Sequence, residues 1–255
     1  MAADAVVAVI PARMGSSRFP GKPIAPILGH PMIYHVWQRA RLSGVVDRII
    51  VATCDDEIRR VAEAFGAEVM ITSSTHQRSN DRVAEVAGSV DCKVILNVQG
   101  DEPLVHPQLI VDVVRELDDN PSFQCVNPIA TLTTEEERQS PNTVKVICNL
   151  RGRVVYFSRY PIPSALVNPR NVPVMRQVPI LGFRPDFCIE LTTLRPGPLE
   201  LQEGIDLLRA IDHDLPIHAM ETEFQTFGVD TEEDRKIVEA RMRNDPIYKM
   251  YAGEE

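Results

Sequence analysis

Apolar residues along this chain follow two alternating rhythms. Short segments rich in Val and Ile at 6–10, 48–52, 68–71 and 93–98 have the length and β-branched content of buried strands. Between them the spacing changes to that of helices. Ile33, Val36, Trp37 and Ala40 stand at i, i+3, i+4 and i+7, predicting a helix over 32–42 with Gly44 placed to stop it. Ile58, Val61, Ala62 and Phe65 predict a second over 55–65, followed by Gly66. Further helices are expected over 81–90 and over 106–117, the latter with Pro107 in its first turn. A β-α-β-α order of this kind implies a mostly parallel sheet covered on both faces, with ligands at the carboxyl ends of the strands.

The second half reads differently. Apolar segments at 125–131, 144–148, 154–158 and 176–183 predict strands joined by proline-rich connections. Helices follow over 199–211 and over 231–242, the second opened by Thr231 with Asp234 three residues on. No linker or repeat interrupts the pattern, so the expectation is one α/β domain, 1–255, with a β subregion inserted at roughly 120–190.

Two loops at predicted strand ends carry candidate chemistry. After Pro11 come Arg13, Gly15-Ser16-Ser17, Arg18 and Gly21-Lys22-Pro23. Small residues let backbone N–H groups converge on an anion, and three cations surround it, as in a polyphosphate cradle. The loop is not the ordinary phosphate loop, which needs Ser or Thr after the lysine where this chain has Pro23. The second loop is Gln99-Gly100-Asp101-Glu102-Pro103. Asp101 is placed either to hold Mg²⁺ opposite the cradle or to serve as a turn residue, and Glu102 either shares its task or faces solvent. Asp230 precedes a helix and fits both a cap and a metal ligand.

Charge narrows the options. With 27 Lys and Arg against 36 Asp and Glu the net charge is −9, which argues against a sequence-independent nucleic-acid binder and makes the basic loop a local exception. Five scattered cysteines without a CxxC pair, no signal-like N-terminus and no membrane-length apolar run fit a cytoplasmic protein. Arg159, Arg176 and Arg184 at strand ends are able to clamp an anion, and Glu200 and Glu203 share a helix face. Among the histidines only His76 lies near the expected site, so chemistry by metal and positioning is favoured over a general base.

These residues fall into blocks that resemble the CMP-Kdo synthetase (3-deoxy-manno-octulosonate cytidylyltransferase) family over 6–242. The blocks are Ile10-Pro-Ala-Arg13 through Pro23, Pro31-Met-Ile33, Ile50-Val-Ala-Thr53, His76-Gln77, Asn97-Val-Gln-Gly-Asp-Glu-Pro103, Pro141-Asn-x-Val-Lys-Val146, Tyr156-Phe-Ser-Arg159, Pro198-Leu-Glu200 and Gly228-Val-Asp-Thr231. The resemblance implies a Rossmann-like nucleotide-diphospho-sugar transferase fold with a mixed sheet, a homodimer, and transfer of CMP from CTP with release of pyrophosphate. It implies catalytic roles for Arg13, Lys22 and Asp101, and magnesium at Asp101 and Asp230. Nucleotide contacts extend to Ala12, Gly15, Ser16, Ser17, Arg18, Arg78, Asn80, Gln99 and Gly100. Acceptor contacts are implied at Arg78, Arg159, Arg176, Gln177, Leu181, Glu200, Leu201 and Glu203.

Several positions depart from the family. The usual Ser-Gly-Thr-Asp/Glu-Arg is Arg78-Ser79-Asn80-Asp81-Arg82, a His and a Tyr are replaced by Gln177 and Leu181, the second His by Leu201, and the Asp after Ala-Thr by Cys54. A polyhydroxylated acceptor needs polar partners. The departures therefore point first to a small anionic acceptor, a phosphonate such as phosphonoformate, and second to ordinary CMP-Kdo synthesis. A non-catalytic nucleotide-binding protein is a remote third reading.

Overall fold

Val6–Pro11 forms strand β1, and all six of its residues are buried. Alternation sends Val6, Ala8 and Ile10 into one apolar cluster and Val7 and Val9 into another on the opposite face. Each Val or Ile side chain among them contributes about 1.5–3 kcal/mol on burial, which is why the strand is apolar throughout. The computed structural model describes residues 4–15, 18–164 and 172–253.

A two-residue hairpin, β2 (Pro26–Ile27) with β3 (His30–Pro31), follows β1. The main sheet continues through β4 (Arg48–Thr53), β5 (Glu68–Ile71) and β6 (Val94–Val98), which with β1 form a parallel set in the order β5-β4-β1-β6. The second half extends this sheet with β7 (Cys125–Thr131), β8 (Lys145–Cys148), β9 (Val154–Ser158), β10 (Met175–Gln177), β11 (Ile180–Phe183) and β12 (His218–Glu221). These strands are joined mainly by antiparallel pairs, so the sheet is mixed as expected, ten strands in all among the described residues. Helices Met32–Leu42, Asp56–Ala64 and Pro107–Asp119 cover one face, and Ser79–Ala87, Pro185–Thr193 and Leu208–Asp212 the other.

Two expected elements are broken in the structure. The predicted strand over 176–183 is β10 and β11, separated at Val178 and Pro179. Both halves lie along one edge of β7, but their other edges meet β8 and β6 respectively. Proline lacks the N–H that a continuous ladder needs, so the break falls there. The predicted helix over 199–211 is Pro198–Glu203 and Leu208–Asp212, interrupted by Gly204 at φ +67°. Helices Glu135–Gln139, Pro185–Thr193 and Pro246–Tyr251 lie where no helix was expected.

Gly182 of β11 sits where a helix crosses the sheet. A Cβ there would lie 2.5 Å from Val113 Cγ1 and 2.9 Å from Leu117 Cδ1, both in the core. Gly182→Ala is expected to destabilise the protein by about 1–3 kcal/mol through overpacking. Urea denaturation checks this, and an unchanged midpoint would show that Pro107–Asp119 gives way without cost.

Candidate active site

The carboxyl ends of β1, β4 and β6 converge, and three backbone constraints shape the loops there. Ala12 N–H donates to Ala52 C=O at 3.0 Å, so the opening loop leaves β1 pinned to β4. Met14 N–H then donates to Asp55 Oδ2 at 2.8 Å, and Gly21 N–H returns to Met14 C=O at 3.3 Å. Gly21 at φ +73° turns the chain into the short 3₁₀ helix Lys22–Ile24, whose Pro23 is buried. From β6, Gly100 passes so close to β1 that a Cβ would sit 3.0 Å from Pro11 C=O.

The third strand of this construction comes from far along the sequence. Val229 N–H donates to Asp101 C=O at 2.9 Å, and Val229 is anchored in an apolar cluster with Ile27, Met32, Val238 and Met242. Asp230 therefore lands beside Asp101. Its carboxylate is not the helix cap: Thr231 caps Glu232–Met242 and exchanges hydrogen bonds with Asp234. That leaves Asp230 Oδ1 to face Lys22 Nζ at 3.3 Å and Arg18 at 3.1 Å, while Asp101 Oδ2 faces Lys22 Nζ at 2.7 Å. Burial pulls the Lys22 ammonium down, but the charge and hydrogen bonds of Asp101 and Asp230 outweigh it, so its pKa rises above the ordinary lysine value.

The resulting cleft has a volume of about 550 Å³. Ala12, Arg13, Gly15, Arg18 and Lys22 line it from the opening loop; Gln99, Gly100 and Asp101 from the second loop; and Arg78 and Asp230 from the remaining sides. Ser16 and Ser17 lie outside the described residues. Ser79 and His76 also line the cleft, and Ser79 Oγ accepts from Gln99 Nε2 at 3.0 Å and Asn97 Nδ2 at 3.2 Å. His76 is turned to Glu85, whose carboxyl is lowered because the Ser73 N–H and His76 outweigh burial.

A second cavity of about 870 Å³ adjoins the first and shares Arg13, His76, Gln77 and Arg78 with it. Glu200, Leu201 and Arg209 are on its wall. Glu200 is buried and held by Arg209 at 2.7 and 2.8 Å, with Arg78 Nε 3.8 Å away; Leu201 is 71% exposed. Arg159 and Glu203 serve each other: Glu203 accepts the Arg159 N–H at 2.9 Å and the Ser158 hydroxyl at 2.7 Å, and Arg159 Nε donates to Glu203 C=O.

Six expected contact residues are placed otherwise; two of them, Arg159 and Glu203, are taken up with each other and line neither cavity. Leu181 is 4% exposed in the core beneath the sheet, because β11 is an interior strand. Gln177 donates to Asn127 Oδ1, and Arg176 reaches Thr226 C=O; neither lines either cavity. Asn80 is buried, bridging Asn97 and Asp206, so it supports the cleft from behind. Glu102 does not face solvent either. It is buried beneath Gly228, and burial together with Asp101 raises its carboxyl well above the usual range against the pull of Arg176 and Lys22.

Sequence reasoning missed Asp55 and Arg82. Arg82 lines the cleft and donates to Thr72 Oγ1, Ser73 C=O and Cys54 Sγ, stiffening the loop ahead of its helix. Asp55 looked like a helix-start residue, and only the fold shows its carboxylate crossing to Met14. Metal fit is partial in protein ligands alone. Two carboxylates within 3.3 Å of one nitrogen suit a hard cation that takes its remaining oxygens from substrate and water. Among the described residues no group of three or more His, Cys, Asp or Glu is placed to hold a metal. No helix among them is long and apolar enough to cross a membrane.

Comparison with known proteins decides the lineage of this cleft. The profile described as cytidylyltransferase matches residues 7–219. The 3-deoxy-manno-octulosonate cytidylyltransferase of Syntrophotalea carbinolica is 41% identical, covering 93% of this chain and 98% of its own. That of Geobacter metallireducens is 38% identical with the same coverage. The chain belongs to the CMP-Kdo synthetase family. It is accordingly a nucleotidyltransferase of the cytidylyltransferase type. The structure of a CMP:2-keto-3-deoxy-manno-octonic acid synthetase complexed with CTP superposes with a TM-score of 0.88 at 34% identity, covering 94% of this chain and 99% of that one. The 4-diphosphocytidyl-2C-methyl-D-erythritol synthase of Anaerococcus prevotii, 13% identical with a TM-score of 0.65 over 95% of this chain, shares the fold alone.

The Glu203 site carries a pH signature. Burial alone would raise this carboxyl, but the hydrogen bonds from Arg159 N–H, Ser158 and Tyr156 leave its pKa lowered. A lowered carboxyl stabilises the fold above its unfolded pKa, about 4.3, and that stability is lost as pH falls through the folded value. Glu203→Gln is therefore expected to unfold more easily than wild type at neutral pH, with the gap closing in acid. Urea midpoints across pH check this; a gap independent of pH would sink the assignment.

Proposed function

We propose that the protein transfers CMP from CTP to Kdo in a magnesium-dependent reaction that releases pyrophosphate. The observation that carries the acceptor is the near full-length similarity to relatives named for 3-deoxy-manno-octulosonate. The structure weakens the argument for a phosphonate. Leu181 is a core side chain and Gln177 is engaged with Asn127, so two of the departures that suggested a smaller anion do not change the walls of the cavities. Arg78 and Leu201 remain on the second cavity, and the phosphonate reading now rests on them.

In this reading the CTP triphosphate lies along the opening loop. Arg13, Arg18 and Lys22 spread positive charge over its oxygens, and Gly15 allows close backbone approach. Pre-placed cations stabilise charge that grows on the leaving pyrophosphate as the acceptor oxygen bonds to the α-phosphorus and the α–β bridge bond breaks. Asp101 and Asp230 would hold magnesium, which when bound supplies further charge neutralisation at the phosphates. Gln99, fixed by Ser79, and the backbone of Gly100 complete the floor. The acceptor enters beside Arg78, where the two cavities meet.

The test is pyrophosphate release from CTP and Mg²⁺ with Kdo or phosphonoformate offered separately. Release with Kdo only is expected. Release with phosphonoformate only would reinstate the small-anion acceptor, and release with neither would remove both.

A further inference from the structure

Lys22 stands where two carboxylates need a positive charge. Its Nζ lies 2.7 Å from Asp101 Oδ2 and 3.3 Å from Asp230 Oδ1, and its side chain is only 13% exposed. The two aspartates come from loops locked together by the Val229–Asp101 hydrogen bond, so they cannot separate to relieve repulsion. An ammonium is a compact point charge on a flexible four-carbon stem. It fills the electrostatic well that a divalent cation would fill, yet can leave it by turning its own side chain. The backbone stays fixed by Gly21 and the buried Pro23. Asp230 is shared with a second, more exposed cation, Arg18 at 3.1 Å.

From this arrangement we propose that Lys22 is a built-in stand-in for the divalent cation, competing with it for Asp101 and Asp230 until nucleotide phosphates draw the ammonium away. The inference rests on the reading that these two aspartates hold the metal. It adds that metal and nucleotide bind interdependently: the metal alone must displace Lys22 into a cleft with no compensating anion. With a triphosphate present, Lys22 and Arg18 exchange one anionic partner for another and release both carboxylates. Lys22 thus serves two states of the same site. It keeps the carboxylates close before substrate, and engages the phosphates afterwards.

The experiment uses Mn²⁺ alone as the probe, titrated into nucleotide-free protein and followed by the electron paramagnetic resonance signal of the free ion. Wild type, Lys22→Met, Asp101→Asn, and Lys22→Met combined with Asp101→Asn are compared. A cation competing from hydrogen-bond distance in a half-buried site is worth enough that Lys22→Met is expected to bind Mn²⁺ about tenfold or more tightly than wild type. Adding Asp101→Asn should remove that gain. Equal affinity in wild type and Lys22→Met, both lost on Asp101→Asn, would overturn the stand-in role and leave the metal reading intact. Absence of any Asp101-dependent binding in Lys22→Met would overturn the metal reading and the stand-in with it. Circular dichroism establishes folding of each variant. If Lys22→Met does not fold, Lys22→Gln carries the same comparison, since its amide is neutral and keeps most of the stem.

Discussion

A single backbone hydrogen bond joins the ends of this chain's chemistry: the Val229 N–H to the Asp101 carbonyl. A carbonyl at a loop apex normally turns to water. Here it is committed to a segment more than a hundred residues away, and that commitment fixes how far Asp230 can stand from Asp101. Everything in the cleft is arranged around the pair. Lys22 reaches it from the opening loop, Glu102 is buried behind it, and Gly228 has no side chain because Glu102 Oε1 would lie 2.7 Å from one. A net bond of this kind contributes about 1 kcal/mol, modest as stability but decisive as geometry.

The apolar anchors on either side make the bond durable. Val229 packs with Val238 and Met242 of the helix that Thr231 caps, and with Ile27 and Met32 just beyond the opening loop. Thus one small cluster holds the loop that bears Lys22 and the loop that bears Asp230. Asp55 does the corresponding work for Met14, using a side chain where the other joint uses a peptide group. Positioning in this protein is therefore local in space and remote in sequence.

That remoteness sets what could be read from the residues. The β1, β4, β5 and β6 strands and their helices were legible because each is signalled by its own run of apolar positions. Arg13, Lys22 and Asp101 could be singled out because they sit at the ends of such runs, and Asp230 because it precedes a helix, the family resemblance adding the expectation of a metal there. The break at Pro179 was not read, since Val178 and Ile180 continue the apolar run and only pairing to β7 reveals two half-strands. Leu181 looked like an altered contact residue because the motif position, not the pleat, was followed. The cross-chain roles of Asp55 and Arg82 depend on loops meeting in three dimensions, which no local pattern records. The mixed sheet itself agreed with expectation, as did the position of the basic opening loop facing Asp101.

The split of β10 from β11 has a mechanical consequence. β8 and β9 meet the rest of the sheet through the three-residue β10 and, at the Arg153–His218 bridge, through the start of β12, whereas β11 is clamped between β6 and β7. Strand β7 spans the split, paired with β11 at its start and with β10 at its end, so the two parts of the sheet are held as one. Arg159, which follows β9, and Glu203, which ends the helix Pro198–Glu203, add a side-chain tie beside that pairing. Load applied to β9 would therefore reach the cleft along an unbroken ladder of backbone bonds, with one carboxylate beside it.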